Sequence, residues 1–132
     1  MRCFMLAVAQ ASTLDRYTNN FSLFFLLEEF RPPHYPARLA VHSHAFFEVD
    51  ADEIGADLEV RLLLLRGAEI VFASDSVAVK PAGERHRVRI GGLAIPEPGQ
   101  FRVAVEWRRA GSEAAWTREA VTWPVKANSP LQ

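Results

Sequence analysis

The chain has 132 residues, of which 49% are hydrophobic and 23% charged, and its net charge is −1 at pH 7. This length and composition fit one globular domain. The near-neutral balance excludes bulk electrostatic attraction to nucleic acid or to an anionic membrane surface. The longest apolar stretch, 21–27, is far shorter than the roughly 20 residues of a membrane-spanning helix. We therefore expect no membrane association and regard nucleic acid as an unfavoured partner.

Cys3 is the only cysteine, so the chain can form neither an intrachain disulfide nor a zinc site built from cysteines. A reducing compartment suits such a chain. Ala9, Gln10 and Ala11 resemble the cleavage box of a secretory signal, but such signals usually span about 15–30 residues. We expect a cytoplasmic protein, with export as the weaker alternative.

Period-two alternation of apolar and polar residues, broken by clusters of Pro, Gly, Asn and Asp, predicts strands and almost no helix. In chain order, the predicted strands cover 3–11, 21–30, 38–50, 58–65, 69–74, 76–80, 85–95, 101–107 and 115–125. Segment 21–30 is apolar on both faces, which is typical of a central strand. We expect one domain at 1–126 and a polar tail at 127–132.

Seven to nine strands with short connections exclude an α/β parallel sheet. They predict an all-β fold, an antiparallel two-sheet β-sandwich, with a small barrel as the alternative. Segment 93–105 resembles the corner that leads into strand F of immunoglobulin-like sandwiches, because Gly99, Phe101 and Val103 follow the order of that motif. Phe101 replaces the tyrosine of the motif and Val103 the antibody cysteine. The resemblance implies an immunoglobulin-like sandwich without the antibody hallmarks.

Residues 5–125 also resemble a family of small bacterial β-sandwich proteins, a domain-of-unknown-function family. The shared outline is an opening strand, a polar turn with Asp15, an apolar strand that ends before prolines, and a long middle hairpin. A last strand of the pattern G-x-[YF]-x-[VF]-x-[VL] begins at Gly99. The resemblance implies the fold and supplies no catalytic residues.

His42 and His44 project from the same face of the predicted strand 38–50, about 6.5–7 Å apart. A His-x-His pair can supply two ligands to a metal, and a third would have to come from a residue such as Glu48 or His34. Strand alternation alone explains the spacing, so we favour histidines that face solvent or an interface. A metal site at His42 and His44 remains the weaker hypothesis, and no cofactor is predicted.

Arg85, Arg87 and Arg89 alternate on one face of the predicted strand 85–95, and Arg102 would join them if the two strands pair. Such a stripe is typical of sites for phosphate or single-stranded nucleic acid. No exposed aromatic residue for base stacking is evident beside it in the sequence. A solvated sheet face is the other interpretation, and an anionic ligand at these four arginines is the alternative.

The acidic loop after strand 38–50 contains Asp50, Asp52, Glu53 and Asp57. Its order does not meet the calcium-loop pattern D-x-[DN]-x-[DN]-G, because Ile54 occupies the third acidic position. A solvated loop is favoured over a calcium site.

Motifs for catalysis are lacking: the sequence has neither a G-x-S-x-G nucleophile elbow nor a phosphate-binding G-x-x-x-x-G-K-[ST] loop. We predict that the protein is not an enzyme. The favoured function is a structural or protein-interaction domain, which binds itself or another protein through apolar residues on an outer face, such as Phe46 and Trp116. An anionic-ligand module is the second hypothesis, and a metal-binding domain the third.

Overall fold

Eleven strands and one short 3-10 turn make up the computed structural model, which describes residues 1–111 and 113–131. The elements are β1 (Arg2–Leu14), β2 (Phe21–Leu26), β3 (Glu29–Phe30), β4 (Ala37–Glu48), the turn Ala51–Glu53, β5 (Leu58–Arg66), β6 (Glu69–Ala73), β7 (Val77–Val79), β8 (Arg85–Ile95), β9 (Gly99–Arg109), β10 (Thr117–Arg118) and β11 (Trp123–Ala127). Eleven strands exceed the predicted seven to nine, and three of the eleven, β3, β7 and β10, have only two or three residues. Within the described ranges, no helix has the length and apolar character needed to cross a membrane.

The strands form two sheets. Sheet 1 has the order β2-β1-β4-β8, and sheet 2 has the order β3-β11-β9-β5-β6, with β10 beside β9 and β7 beside β5. The core of this arrangement, β1-β4-β8 against β11-β9-β5-β6, is the A-B-E against G-F-C-C′ order of immunoglobulin domains. The predicted all-β, two-sheet sandwich is therefore confirmed. The short pairing of β3 with β11 departs from the predicted pattern because it is parallel.

The inward faces of the long strands form the core between the two sheets. The alternation predicted for 58–65 and 101–107 is confirmed, because the inward residues of β5 and β9 are almost completely buried. They are Leu58, Val60, Leu62, Leu64, Phe101, Val103 and Val105. From sheet 1, Val8, Phe47, Val88 and Ile95 belong to the same cluster. Burial of these side chains supplies most of the free energy that holds the sheets together.

Segment 21–30 is not the central strand that its two apolar faces predicted. β2 lies at the edge of sheet 1, whereas β3 pairs with β11 in sheet 2. Between them, the Leu27 amide donates to the Val8 carbonyl at 2.8 Å. On β2, Phe24, Phe25 and Leu26 are 45%, 74% and 47% exposed. The prediction was wrong because an edge strand can also be apolar on both faces when one face covers a neighbour and the other stays exposed.

The hairpin made by the end of β1 and β2 bends back across the outer face of sheet 1. Phe21 pairs with Leu14 at the far end of this hairpin, whereas His44 pairs with Ala7 near its base. Ala7 and Leu14 are seven residues apart on β1, so in a flat sheet Phe21 and His44 would be about 23 Å apart along the strand direction. The ring centroids of Phe21 and His44 are only 5.4 Å apart. The hairpin must therefore fold over the sheet.

The end of the chain is tied to the sandwich by side-chain and backbone hydrogen bonds. The Trp123 indole donates to the Leu27 carbonyl at 2.6 Å, and the Tyr35 hydroxyl donates to the Asn128 carbonyl at 2.6 Å. The last strand, predicted at 115–125, is β11, which runs to Ala127. The predicted tail 127–132 therefore starts with residues that are bonded to the sheet.

Leu62→Ala tests the position of the core. Leu62 is fully buried, so we expect the substitution to lower the free energy of unfolding by about 3 kcal/mol, since it leaves a cavity between the sheets. Ile70→Ala is the control, because Ile70 is 44% exposed and should lose less than about 1 kcal/mol. Urea denaturation of both variants measures the difference. Equal losses would contradict the assigned core.

Candidate functional site

A hydrogen bond just before β8 begins shows which residues of this strand direct their backbone groups toward β4. The Val49 amide donates to the Glu84 carbonyl at 2.8 Å. In an antiparallel pair, successive residues alternate between bonding to the partner strand and pointing away from it. Even-numbered residues of β8 from 86 to 90 therefore bond to β4. The N–H and C=O groups of Arg85, Arg87 and Arg89 point the other way, in the plane of the sheet and away from β4.

The side chains of these three arginines form an exposed row on the outer face of sheet 1. The opposite alternation buries Val88 and Ile90 in the core. None of the three guanidinium groups makes an ion pair with another residue in 1–111 or 113–131. The sheet therefore carries three neighbouring positive charges that the described chain leaves unneutralised.

Aromatic rings lie against two of these arginines. The Arg87 guanidinium is 3.7 Å from the ring centroid of Phe21, and that of Arg85 is 5.8 Å from the ring of Phe4. Phe46 lies between the two rings, 6.3 Å from Phe4 and 6.0 Å from Phe21. Cation–π attraction holds the guanidinium groups in place at a small cost in side-chain entropy. We call Arg85, Arg87, Arg89, Phe4, Phe21 and Phe46 the arginine–aromatic face.

Sequence reasoning missed these rings, because Phe4 and Phe21 come from β1 and β2, more than 60 residues before Arg85 in the chain. Phe21 reaches Arg87 only because the hairpin folds over the sheet. A usable signal was the concentration of phenylalanine in 21–30, an apolar run too long for one buried strand face.

His44 is buried on this outer face, with 1% of its surface exposed. Neither of its ring nitrogens has a hydrogen-bond partner among the described residues. Burial, together with the smaller effects of the nearby His42, Arg87 and Arg89, lowers the pKa of His44 to about 4. The imidazole is therefore neutral at pH 7. His44 was expected to face solvent or an interface; it does not face solvent, because the hairpin covers it with Phe21.

His42 and His44 lie side by side, with ring centroids 6.4 Å apart, as their spacing predicted. Within 1–111 and 113–131, no third His, Cys, Asp or Glu joins them in a metal-binding group. Arg87 and Arg89 also place positive charge close to His44, which opposes the binding of a cation. The geometry therefore gives no support to the metal hypothesis at this pair.

Arg102 does not belong to the face that the sequence suggested. It lies on β9 in sheet 2, and β9 does not pair with β8. Its guanidinium donates to the Thr122 hydroxyl at 2.9 Å. The stripe therefore has three arginines, because the two strands that were expected to be neighbours lie in different sheets.

The acidic loop brings Asp50, Asp52 and Glu53 together, as its sequence suggested. Cations of the protein already neutralise it, since the Met1 ammonium donates to Glu53 at 2.5 Å and Arg109 lies 3.7 Å from Asp52. These contacts fit the predicted solvated loop better than a calcium site.

The outer face of sheet 2 has the opposite electrostatic character. Trp116 is held between the guanidinium groups of Arg61 and Arg108, 4.4 and 4.2 Å from its ring centroid. Glu106, which is 5% exposed, accepts hydrogen bonds from Arg61 at 2.7 Å and from Arg118 at 3.0 Å. The charges around Trp116 are thus paired internally. A row of three neighbouring arginines without ion-pair partners among the described residues occurs on sheet 1, which makes the arginine–aromatic face the candidate site.

Titration of the His44 ring tests the folded-back hairpin. We expect a pKa of about 4, and Phe21→Ala should raise it toward the ordinary value of 6.5, because the ring becomes hydrated. Since the unfolded state binds a proton near pH 6.5, the contribution of neutral His44 to stability is complete above that pH. It is lost as the pH falls through 6.5 toward 4. Proton NMR of the ring measures the pKa; a value near 6.5 in the unsubstituted protein would contradict the burial.

Comparison with known proteins gives no assignment of family. No protein-family model matches the chain, and no curated protein matches it. Function is therefore inferred from the arginine–aromatic face itself.

Proposed function

We propose that this protein is a non-enzymatic interaction domain that binds an acidic protein partner through the arginine–aromatic face. The observation that carries the proposal is the row of Arg85, Arg87 and Arg89, which is exposed and has no ion-pair partner among the described residues, whereas the arginines around Trp116 on sheet 2 are paired with glutamates. Arginine and aromatic residues are enriched at protein interfaces and dominate their energetics.

The β1–β2 hairpin, which contributes Phe21 to this face, also carries exposed apolar residues. Phe25 is 74% exposed, and its neighbours Phe24 and Leu26 are 45% and 47% exposed. Exposed apolar patches of this kind are usually covered by a partner. A protein can offer both apolar and acidic groups, whereas a simple anion would use only the arginines. The combination favours a protein partner over a small anion.

Nucleic acid fits this face less well. Base stacking needs aromatic rings with a free face. In Phe21, one ring face is occupied by the Arg87 guanidinium at 3.7 Å, and Phe46 lies 6.0 Å away with its edge toward the same ring. The net charge of −1 also provides no long-range attraction to a phosphate backbone. Single-stranded nucleic acid is therefore not the proposed partner, and its binding is one of the results that the test below distinguishes.

Self-association through this face is disfavoured by charge. A twofold contact would bring two copies of the same arginine row together, and like charges in contact lower affinity. We therefore favour a different protein over a second copy as the partner.

The surroundings of His44 support a structural role for this residue. Its ring is enclosed beneath Phe21, and its nitrogens bond to no described residue. A general base must come within hydrogen-bond reach of the group from which it takes a proton. The enclosed, neutral imidazole is better explained as part of the packing under the hairpin.

Removal of the arginine row tests the proposed function. We expect Arg85→Ala/Arg87→Ala/Arg89→Ala to weaken binding of fluorescent polyglutamate about tenfold or more at ~50 mM salt, because three charge contacts are lost. The matched control is Arg31→Ala/Arg102→Ala/Lys126→Ala, which removes three exposed cations that lie outside this face and changes the net charge equally. Fluorescence anisotropy gives both affinities.

Two results would contradict the proposal. Equal weakening by the two triple variants would mean that net charge, and not this face, binds the polymer. Tighter binding of single-stranded DNA or heparin than of polyglutamate, sensitive only to the first variant, would favour the anionic-ligand module instead.

A further inference from the structure

We infer that the acidic partner binds as an extended segment that adds a strand to the free edge of β8. In this mode, backbone groups of Arg85, Arg87 and Arg89 pair with the backbone of the segment. Acidic side chains at every second position of the segment then lie beside the guanidinium groups. The inference rests on the proposed function and specifies how the same face is used.

β8 is a long strand with a neighbour on one side only. It has eleven residues and pairs with β4 alone in sheet 1. Outside the strand ladders, the hydrogen bonds among described residues include none to the backbone of residues 85–95. Unpaired N–H and C=O groups along a strand edge are a template for another strand. The outward-pointing groups of the three arginines therefore remain available for pairing.

One end of this edge borders an open groove. The groove, of about 430 Å³, lies between Arg89, Ile90 and Gly91 on one side and segment 72–77 on the other. That segment runs from the end of β6 to the start of β7, and Ser74 in it is hydrogen-bonded to the Leu62 backbone of β5 in sheet 2. Segment 72–77 therefore pairs with sheet 2 and makes no backbone hydrogen bond to β8.

The two sides of β8 specify what an added strand must carry. Toward the outer face it would meet the arginines, whose spacing at alternate positions matches alternate residues of an extended segment. Toward the sandwich its side chains would lie beside the positions of Val88 and Ile90, which are already buried in the core, and at one end it would meet Asp75, which lines the groove. Asp75 repels an acid on this inner side. The complementary segment thus alternates acidic residues with β-branched apolar residues.

The same arginines close the edge to a second copy of this chain. Antiparallel pairing of β8 with another β8 would set arginines opposite arginines, and like charges directly opposite destabilise a sheet. Charged residues on an edge strand are a common protection against self-pairing. Here the protection is selective, because the same arginines that repel a basic strand attract an acidic one.

A nine-residue labelled peptide of alternating Glu and Val tests the inference, in two N-methylated forms. One form carries the methyl groups on its Glu amides and the other on its Val amides, so composition and charge are identical. Antiparallel addition directs the Glu amides toward β8, as in the three existing strand pairs of sheet 1. We expect the Glu-methylated form to bind at least about tenfold more weakly than the Val-methylated form, as measured by fluorescence anisotropy.

The outcomes separate the inference from the proposed function. Equal affinity of the two methylated peptides, with the parent peptide still weakened by Arg85→Ala/Arg87→Ala/Arg89→Ala, would overturn strand addition and leave an acidic partner at this face. A parent peptide whose binding is unaffected by that triple variant would overturn both. Loss of affinity in the Glu-methylated form alone supports pairing with the edge of β8, whereas loss in the Val-methylated form alone would contradict it.

Discussion

The hydrogen bond between the Val49 amide and the Glu84 carbonyl fixes which residues of β8 bond to β4. The exposure of the three arginines and the free backbone groups beside them both depend on that alignment. It directs the even-numbered backbone groups of 86–90 toward β4, and with them it directs Val88 and Ile90 into the core. The arginines are then both exposed and bordered by an open edge. A slip of one residue would place three guanidinium groups in the core, so burial on the other side of the strand enforces this register.

The face itself is assembled from four strands. β8 contributes the arginines, β4 contributes Phe46 and the two histidines, and β1 and β2 contribute Phe4 and Phe21. The folded-back hairpin supplies the ring beneath Arg87 and also encloses His44. On sheet 2, by contrast, Glu106 and Glu59 neutralise the arginines around Trp116. The two outer faces of one sandwich thus differ: the arginines around Trp116 are paired with glutamates, whereas those of β8 have no ion-pair partner among the described residues.

Local alternation predicted the strands and the orientation of their side chains, because period-two geometry acts over a few residues. It placed the arginines of β8 on one face and the apolar residues of β5 and β9 in the core. It could not assign Arg102 to the other sheet, since the pairing of strands depends on contacts that are distant in the chain. The burial of His44 and the ring beside Arg87 were equally hidden, because both follow from a hairpin bend that no local pattern encodes.

Amide hydrogen exchange in the free protein tests the open edge of β8 most directly. The amides of His86, Val88 and Ile90 should exchange slowly, because they donate to β4, whereas those of Arg87 and Arg89 should exchange much faster, because they point out of the sheet. Alternating protection along the strand is the predicted result. Protection of the Arg87 and Arg89 amides equal to that of Val88 would contradict a free edge at this site.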